Sequence, residues 1–307
     1  MNQFKKYKDI FSEFYTEDQI IIDADMKDYI YFKVGGYADI LLTPNNPTQV
    51  IKTIKVCNDN KIPYYIFGNG SNILVRDGGI RGVVIKLSNM DEITVDGEKV
   101  MASCGALLKD VSKKALENSL TGFEFACGIP GSIGGAVFMN AGAYDSEVKN
   151  VIESAQVITK EGNIISLSKE ELDLGYRTSK VMKEGYIVLS AIFSLKKGDN
   201  QKIKSRIDEL TERRESKQPL EFPSAGSTFK RPEGHFAGKL IQDSGLKGYS
   251  IGGAAVSVKH SGFVINKGNA TAKDILDLIE HIQKEVKKHF GVDLLPEVRI
   301  IGEERVC

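Results

Sequence analysis

A glycine turn follows a predicted strand near the end of the first quarter of the chain, and no predicted helix comes after it. A run rich in β-forming residues, 64–67, leads into five turn residues: Gly68, Asn69, Gly70, Ser71 and Asn72. Glycine and asparagine tolerate positive φ and can aim successive backbone N–H groups at one point, which creates a concave anion site. The turn is therefore a candidate phosphate-binding loop, and the alternative is a tight turn that binds nothing.

Neither of the two common phosphate loops matches this turn. A Walker loop needs a lysine after the second glycine, where this chain has Ser71, and a Rossmann loop needs a third glycine, where it has Ile73. The residues that follow, 73–85, have the pattern of a strand, an Asp-Gly-Gly turn and a second strand. We therefore expect a phosphate to be held by backbone amides and small side chains, without the dipole of a helix.

Composition excludes several classes of protein. The chain has 307 residues, enough for about two or three domains, and 41% of them are hydrophobic, which can supply real cores. Lysine plus arginine and aspartate plus glutamate both number 41, so no net charge directs the chain to nucleic acid or to a membrane surface. We therefore expect neither partner.

The cysteines and the first residues indicate a compartment. Four cysteines, Cys57, Cys104, Cys127 and Cys307, are scattered without a C-x-x-C pair. This spacing is typical of reduced thiols rather than of disulfides or zinc ligands, so we expect no metal site. The first residues carry charge throughout, and no apolar run of about 18 residues occurs. We expect a soluble, cytoplasmic protein.

Hydrophobic periodicity predicts mixed helices and strands. Helices are predicted over 3–15, 47–60, 107–116, 201–217 and 271–290, the last between an N-cap at Thr271 and a stop at Gly291. A hairpin over 91–106 should turn at Asp96-Gly97. Further strands are predicted over 151–159, 163–167, 186–195, 250–258, 261–265 and 297–301. A shift in composition near residue 200 indicates a domain boundary.

A second glycine-rich segment, 128–144, has five glycines and little charge. Such a composition argues against a regular helix and against an exposed loop. We interpret it as a buried irregular segment that lets the backbone approach a ligand closely. The alternative is a buried loop whose glycines only allow neighbouring elements to pack.

Several side chains could carry chemistry. Ser227 lies between small residues ahead of two cations, Lys230 and Arg231, but "SAGSTF" is not the G-x-S-x-G turn of a serine hydrolase. A hydroxyl beside two cations could donate a proton to an anionic substrate, or it could be a capping serine. Arg177, in "GYRTSK", suits bidentate recognition of a carboxylate, and the alternative is an exposed loop cation.

Two further groups each allow two interpretations. Glu297 and Arg299 are two residues apart, which places them on one face of a predicted strand. They form either a structural ion pair or part of a site. His281, Glu285 and His289 recur every four residues on the last predicted helix, but lysines surround them and no third ligand lies near in sequence. We favour a solvated helix face over a metal site.

Six stretches in order closely resemble the family of UDP-N-acetylenolpyruvoylglucosamine reductases of bacterial cell-wall synthesis. Together they span about residues 30–302, and the set is far more specific than any one member. They are "FKVGGYAD", "FGNGSNILVRDGG", "GIPGSIGGAVFMNAGAY", "GYRTSK", the long stretch from "SAGSTFKRP" to "HSGFVIN", and "LLPEVRIIG".

The resemblance implies a fold and a cofactor. The fold class is α+β: a vanillyl-alcohol-oxidase (PCMH)-type FAD-binding fold of two subdomains, 1–88 and 89–200, plus a C-terminal α/β substrate domain, 201–307. The turn 68–72 is expected to hold the FAD pyrophosphate. The residues expected to line the rest of the flavin are Gly131, Ser132, Gly134, Gly135, Asn140 and Gly142.

The resemblance also implies a reaction. NADPH reduces the flavin, and the flavin passes a hydride to the enolpyruvyl group of UDP-N-acetylglucosamine-enolpyruvate, giving UDP-N-acetylmuramate for peptidoglycan synthesis. Arg177 and Glu297 match the residues that stabilise the resulting negative charge, and Ser227 matches the proton donor. The positions that match residues near the substrate are Tyr176, Lys230, Arg231, His260 and Arg299.

One departure and two rival functions accompany the resemblance. Only eight residues separate Arg177 from Tyr186, so the chain resembles the subgroup without an extra tyrosine-bearing loop, and we expect a monomer with a small-molecule substrate. The rivals are an FAD-dependent oxidase or dehydrogenase of the same fold that acts on a small alcohol or hydroxy acid, and a non-catalytic UDP-sugar-binding protein. The first would not need Arg177, Ser227 and Glu297 together, and the second would be expected to lack at least one.

Overall fold

The computed structural model describes residues 2–144 and 146–305. Cys307, one of the four cysteines, therefore lies outside the described residues. The described chain contains short 3-10 helices at Lys5–Tyr7, Glu17–Gln19, Met26–Asp28, Leu87–Asn89 and Glu124–Ala126 in addition to the elements below.

The first region forms a four-stranded sheet with a helix on one side. Its elements are α1 (Lys8–Ser12), β1 (Ile20–Asp25), β2 (Tyr37–Leu42), α2 (Pro47–Asp59), β3 (Tyr64–Phe67), β4 (Ile73–Val75) and β5 (Ile80–Lys86). The strand order is β1-β2-β5-β3, with β2 and β3 both parallel to β5. The helix predicted over 3–15 is shorter than expected, whereas α2 begins at Pro47 as predicted because Asn46 accepts a hydrogen bond from the Gln49 N–H.

The second region is built on a five-stranded antiparallel sheet. Its elements are β6 (Ile93–Asp96), β7 (Lys99–Ser103), α3 (Leu108–Glu117), β8 (Leu120–Thr121), α4 (Ile133–Met139), β9 (Gly142–Ala143), β10 (Ser146–Glu147), α5 (Val148–Val151), β11 (Ile152–Ile158), β12 (Ile164–Ser168), α6 (Lys180–Glu184), β13 (Ile187–Ser194) and β14 (Lys196–Lys197). The sheet order is β12-β11-β13-β7-β6. Asp96 pairs with Lys99, so the hairpin loop is Gly97–Glu98, one residue later than predicted. Gly97 supplies the positive φ that the first position of such a loop favours.

The prediction that segment 128–144 contains no regular helix is wrong. Residues Ile133–Met139 form α4, with Ser132 as its N-cap and Asn140 in the left-handed conformation at its C-terminal end. Two glycines disfavour this helix by about 1 kcal/mol each, but Ile133 and Val137 are fully buried and offset that cost. Gly134 also allows close packing, because a Cβ there would lie 3.2 Å from the Cys104 Cβ.

The third region returns to the first. Its elements are α7 (Asn200–Lys217), α8 (Ala237–Asp243), β15 (Ser250–Ile251), β16 (Ala254–Val256), β17 (Val264–Asn266), α9 (Ala272–Phe290) and β18 (Arg299–Ile301). The prediction for α9 is confirmed at both ends, where Thr271 forms a capping box with Asp274 and Gly291 adopts φ 70°. Strand β18 pairs with β4 in parallel, so the end of the described chain lies beside the residues that follow the glycine turn.

The first sheet separates two hydrophobic cores. On strands β2 and β5, Ile40 and Val83 face a core shared with the second region, whereas Leu41 and Val84 face a core shared with α9. This alternation explains the nearly continuous apolar sequence of both strands, since strands buried on both faces need apolar residues at every position. The sheet therefore fixes the other two regions relative to the glycine turn.

Candidate active site

The two glycine-rich segments and four of the predicted reactive residues line one cavity. Its volume is about 1310 Å³, and Arg177, Ser227, Glu297 and Arg299 lie in its wall together with residues 68–72, Gly131, Ser132, Gly134 and Gly135. Sites for one small ligand usually enclose roughly 300–1,000 Å³. The cavity is therefore large enough for a dinucleotide together with part of a second molecule.

The glycine wall, residues 68–72 with Gly131, Ser132, Gly134 and Gly135, is a backbone surface. Gly70 has φ 69°, and a Cβ there would overlap the Tyr29 carbonyl oxygen, while a Cβ at Gly68 would overlap the Ser132 hydroxyl. Asn69 Nδ2 donates to the Pro130 carbonyl at 2.8 Å, which ties the turn to the second segment. Only glycine therefore allows the two segments to approach this closely.

A helix begins at the glycine turn. Ser132 Oγ, which caps α4, contacts the turn at Gly68, and it accepts a hydrogen bond from the Gly135 N–H at 3.5 Å. A strand, β4, follows the turn as predicted, and the expectation that a phosphate is held there without a helix dipole stays a prediction. The nearby helix comes from a segment some 60 residues later along the chain.

Asn140 and Gly142 differ in their relation to the cavity. Gly142 lines it, whereas Asn140 is fully buried beside it. Asn140 Nδ2 donates to the Gly175 carbonyl at 3.1 Å, and its Oδ1 accepts from the Lys149 N–H at 2.9 Å. Asn140 therefore holds the backbone two residues before Arg177 and does not face the cavity.

The charged wall, Arg177, Ser227, Glu297 and Arg299, contains a short ion pair. Arg177 adopts φ 53°, and its Nε donates to Glu297 Oε1 at 2.6 Å. Burial raises the pKa of Glu297, although Arg177 and Lys230 oppose this effect. The Arg299 guanidinium lies over the Phe138 ring at 4.8 Å. The wall thus combines three cations or donors with one carboxylate whose pKa is perturbed.

Backbone pairing brings Ser227 and Glu297 together. Residues 228–230 run antiparallel to residues 295–297: the Glu297 N–H donates to the Thr228 carbonyl at 2.8 Å, and the Lys230 N–H donates to the Leu295 carbonyl at 2.8 Å. Ser227 is exposed and immediately precedes Thr228. The regular strand begins only at Arg299, later than predicted, so Glu297 and Arg299 share the cavity without both belonging to the strand.

Asn72 joins the two walls. Its Nδ2 donates to the Glu297 carbonyl at 3.2 Å, and its own carbonyl accepts from the Arg299 N–H at 3.0 Å. The last residue of the glycine turn therefore also positions the carboxylate and the guanidinium. A ligand held by the glycine wall lies next to the charged wall.

Four of the residues predicted to lie near the substrate are outside the cavity lining: Tyr176, Lys230, Arg231 and His260. Tyr176 is exposed, and its hydroxyl accepts from the Arg231 N–H at 3.0 Å. Lys230 is near enough to lower the pKa of Glu297. His260 Nδ1 accepts from the Gly262 N–H at 3.1 Å, and burial lowers the pKa of its imidazole, so the ring is neutral at pH 7.

Sequence reasoning missed two half-buried cations in the cavity wall, Lys86 and Arg214. Burial lowers the pKa of both side chains. Lys86 is the last residue of an apolar strand. A single charge at the end of such a strand could have been noticed in the sequence as a candidate site residue. Arg214 is one of many charges on α7, so its sequence position gave no signal.

Three further observations concern the thiols, possible metal ligands and helix hydrophobicity of the described residues. Cys57, Cys104 and Cys127 are free thiols. No group of three His, Cys, Asp or Glu side chains within 2–144 and 146–305 is placed to hold a metal ion. Among the helices of these same residues, none combines the length and apolar character that crossing a membrane requires.

Comparison with known proteins defines the class. A family model described as an FAD binding domain matches residues 38–168, which include the whole glycine wall. A second model, the C-terminal domain of UDP-N-acetylenolpyruvoylglucosamine reductase, matches residues 218–301. A backbone cradle inside an FAD-binding domain, facing a charged wall of which Ser227, Glu297 and Arg299 lie in a separate domain, is the site of a flavin-dependent oxidoreductase.

Relatives specify the family. The UDP-N-acetylenolpyruvoylglucosamine reductases of Clostridium botulinum (strain Eklund 17B / Type B) and Clostridium perfringens (strain SM101 / Type A) are each 66% identical over 99% of this chain and 100% of their own length. A crystal structure of such a reductase from Thermus caldophilus matches with a TM-score of 0.79 and 33% identity, over 92% of this chain and 97% of that one. The chain belongs to the UDP-N-acetylenolpyruvoylglucosamine reductase family, and the predicted fold class is confirmed.

Proposed function

We propose that this chain uses NADPH and FAD to reduce the enolpyruvyl group of UDP-N-acetylglucosamine-enolpyruvate, which yields UDP-N-acetylmuramate for peptidoglycan and hence for cell shape and division. The observation that carries the proposal is that a single cavity joins the glycine wall to the charged wall. Relatives that are 66% identical to this chain over their full length are UDP-N-acetylenolpyruvoylglucosamine reductases. Neither rival function has an observation in its favour.

The glycine wall fits FAD. Positions Gly68 and Gly70 form a cradle that side chains would fill, and Asn69 fixes it against the second segment. Such a concave backbone surface suits a pyrophosphate, while Ser71, Gly131, Ser132, Gly134, Gly135 and Gly142 line the remaining cofactor space. FAD held there would supply the redox chemistry of the reaction, the transfer of a hydride from NADPH to the enolpyruvyl carbon.

The charged wall stabilises the negative charge that hydride addition creates on the substrate. Addition at the terminal enolpyruvyl carbon leaves charge spread over the adjacent carbon and the carboxylate. Arg177 offers a guanidinium fixed by Glu297 at 2.6 Å, so it is oriented before the charge develops. In this proposal Arg177 and Glu297 stabilise the charge, and Asn140 positions Arg177 through the Gly175 carbonyl.

Ser227 completes the reaction as the proton donor. A serine hydroxyl is a weak acid, so the transfer requires a strongly basic carbon and nearby positive charge. Support for this role comes from the cavity wall, which Ser227 and Glu297 share, and from Lys230, which is close enough to influence that carboxylate. Tyr176, Lys230, Arg231, His260 and Arg299 are assigned to the substrate side, with Arg299 in the cavity wall itself.

The proposal also covers the domains, the oligomeric state and the cellular location of the chain. We assign 1–88 and 89–200 to FAD binding and 201–307 to substrate binding, since each part contributes its own sheet or sheets. The chain is expected to act as a cytoplasmic monomer, where NADPH is available. Light scattering of the purified protein tests the monomer, and a mass of twice 33.8 kDa would contradict it.

The test of function is anaerobic NADPH consumption by the purified protein, with and without UDP-N-acetylglucosamine-enolpyruvate. Sustained turnover only with the enolpyruvyl substrate is the expected result. Consumption of one flavin equivalent in both samples would keep the flavin site and reject the substrate. A rapid reaction with O₂ on a small alcohol would favour the oxidase instead.

A further inference from the structure

A lysine outside all six motifs lies at the edge of the glycine wall. Lys86 is the last residue of β5 and is half-buried in the cavity wall. It is in register with Phe67 on the parallel strand β3, which leads directly into Gly68. Parallel strands end at the same edge of a sheet, so the pairing places Lys86 at the entrance to the turn.

One hydrogen bond fixes the ammonium group. Lys86 Nζ donates to the Gly68 carbonyl at 3.1 Å. An ammonium has three donors, so two are free for a ligand in the cavity. Because the Gly68 carbonyl belongs to the glycine wall, the charge is held at the wall rather than in open solvent.

Among the described residues, the positive charge of Lys86 has no counter-charge. No carboxylate of residues 2–144 or 146–305 forms an ion pair with Lys86, and burial alone lowers the pKa of its ammonium. A desolvated cation without an anion costs folding free energy. An anionic ligand in the cavity would offset that cost with a counter-charge, which the single hydrogen bond to the Gly68 carbonyl does not supply.

We propose that Lys86 provides the positive charge that pairs with the diphosphate of the bound dinucleotide. The glycine wall offers backbone N–H groups, which satisfy phosphate oxygens but bring no net charge. A diphosphate is dianionic, and lysine is a common point-charge partner for phosphate. The inference rests on the function proposed above and adds to it a charge-bearing residue for the cofactor.

The test compares how tightly the apoprotein binds a flavin that carries phosphate and a flavin that lacks it. Flavin fluorescence gives the Kd of FAD and of riboflavin, which lacks phosphate, for the wild type and for Lys86→Met. We expect FAD to bind roughly 10- to 100-fold more weakly to the variant, the scale of one lost charge-assisted hydrogen bond, and riboflavin to bind equally to both proteins. The FAD affinity of the variant should also depend less on ionic strength.

A matched control is Lys284→Met, because Lys284 is an exposed lysine on α9 outside the cavity lining. It should leave the affinities for FAD and riboflavin unchanged. Equal losses for both flavins in Lys86→Met, no loss for FAD, or an unchanged dependence on ionic strength would each overturn the role of Lys86. A wild type that fails to bind FAD would overturn the proposed function itself, which is a separate result.

Protein stability separates binding from a structural role. Methionine fills nearly the same space as lysine and removes the desolvated charge, so the Lys86→Met apoprotein should melt no lower than the wild-type apoprotein. A purely structural lysine predicts the opposite, a lower melting temperature together with weaker binding of every flavin. Thermal unfolding of both apoproteins distinguishes these results.

Discussion

The two walls of the cavity recognise ligands by different means. The glycine wall presents backbone, and its shape depends on residues without side chains, as at Gly68 and Gly70. The charged wall presents side chains, among which Arg177 and Glu297 form an ion pair across 120 residues of sequence. A substitution in the first wall should therefore change how much flavin is bound, and one in the second should change what the flavin does.

The walls also differ in how the chain builds them. The glycine turn forms locally, because Gly70 and its neighbours adopt the required conformation within a few residues. The charged wall needs the pairing of β18 with β4 and of residues 228–230 with 295–297. Long-range pairing therefore brings together reactive groups from different regions of the chain, which the glycine turn does not require.

The largest effect is expected in the charged wall. Ser227→Ala should slow flavin reoxidation by the enolpyruvyl substrate by about 10²-fold or more, the scale of general acid catalysis, while flavin reduction by NADPH stays nearly unchanged. Stopped-flow absorbance of each half-reaction measures both rates. Ser224→Ala is a matched control, since Ser224 lines the same cavity. Equal slowing of the two half-reactions would remove Ser227 from the role of proton donor.

The matching change in the glycine wall is Gly70→Val. A β-branched residue resists φ 69°, and its Cβ would overlap the Tyr29 carbonyl oxygen. Strain of this kind costs about 1–3 kcal/mol, so the folded protein should be isolated with little flavin. Gly97→Val imposes a similar φ in a remote hairpin with open space around it, and it should keep its flavin. Full occupancy in Gly70→Val, judged by the flavin absorbance ratio, would place the pyrophosphate elsewhere.

A smaller effect is expected from the buried carboxylate of Glu297, whose raised pKa should make protein stability depend on pH. Because burial raises the Glu297 pKa, the folded protein binds this proton more tightly than the unfolded chain. The wild type should therefore gain stability relative to Glu297→Gln as pH falls through the raised pKa. The gain is complete below about 4.3, the ordinary value for glutamate. Urea unfolding of both proteins at several pH values measures it, and a difference that shrinks with falling pH would give the shift the opposite sign.

The smallest effect tests the glycine wall within α4. Gly135→Ala adds a Cβ that meets only Ser132 Oγ at 3.7 Å, so it should stabilise the helix by about 0.5–1 kcal/mol. The same methyl group enters cofactor space, so FAD should bind a few-fold more weakly. Denaturation of the apoprotein and flavin titration give the two values. Tighter FAD binding would show that the cofactor does not approach this backbone.

Local sequence signals predicted much of the fold. The ends of α9 followed from Thr271 and Gly291, and the start of α2 followed from Pro47, because caps and helix breakers act within a few residues. The hairpin loop was wrong by one residue, since Gly97 can serve at more than one position of a turn. Helix α4 was missed because buried apolar contacts outweighed the low helix propensity of glycine.

The glycine turn, most helices and strands, and the family could be inferred from the order of the amino acids alone, because motifs and periodicity are local patterns. Three contacts appear only in the folded chain: Ser132 caps a helix against the turn, Asn72 joins the two walls, and Lys86 lies at Gly68. Each of these contacts joins segments far apart in sequence. Their geometry depends on how sheets and cores pack, which no short stretch of residues encodes.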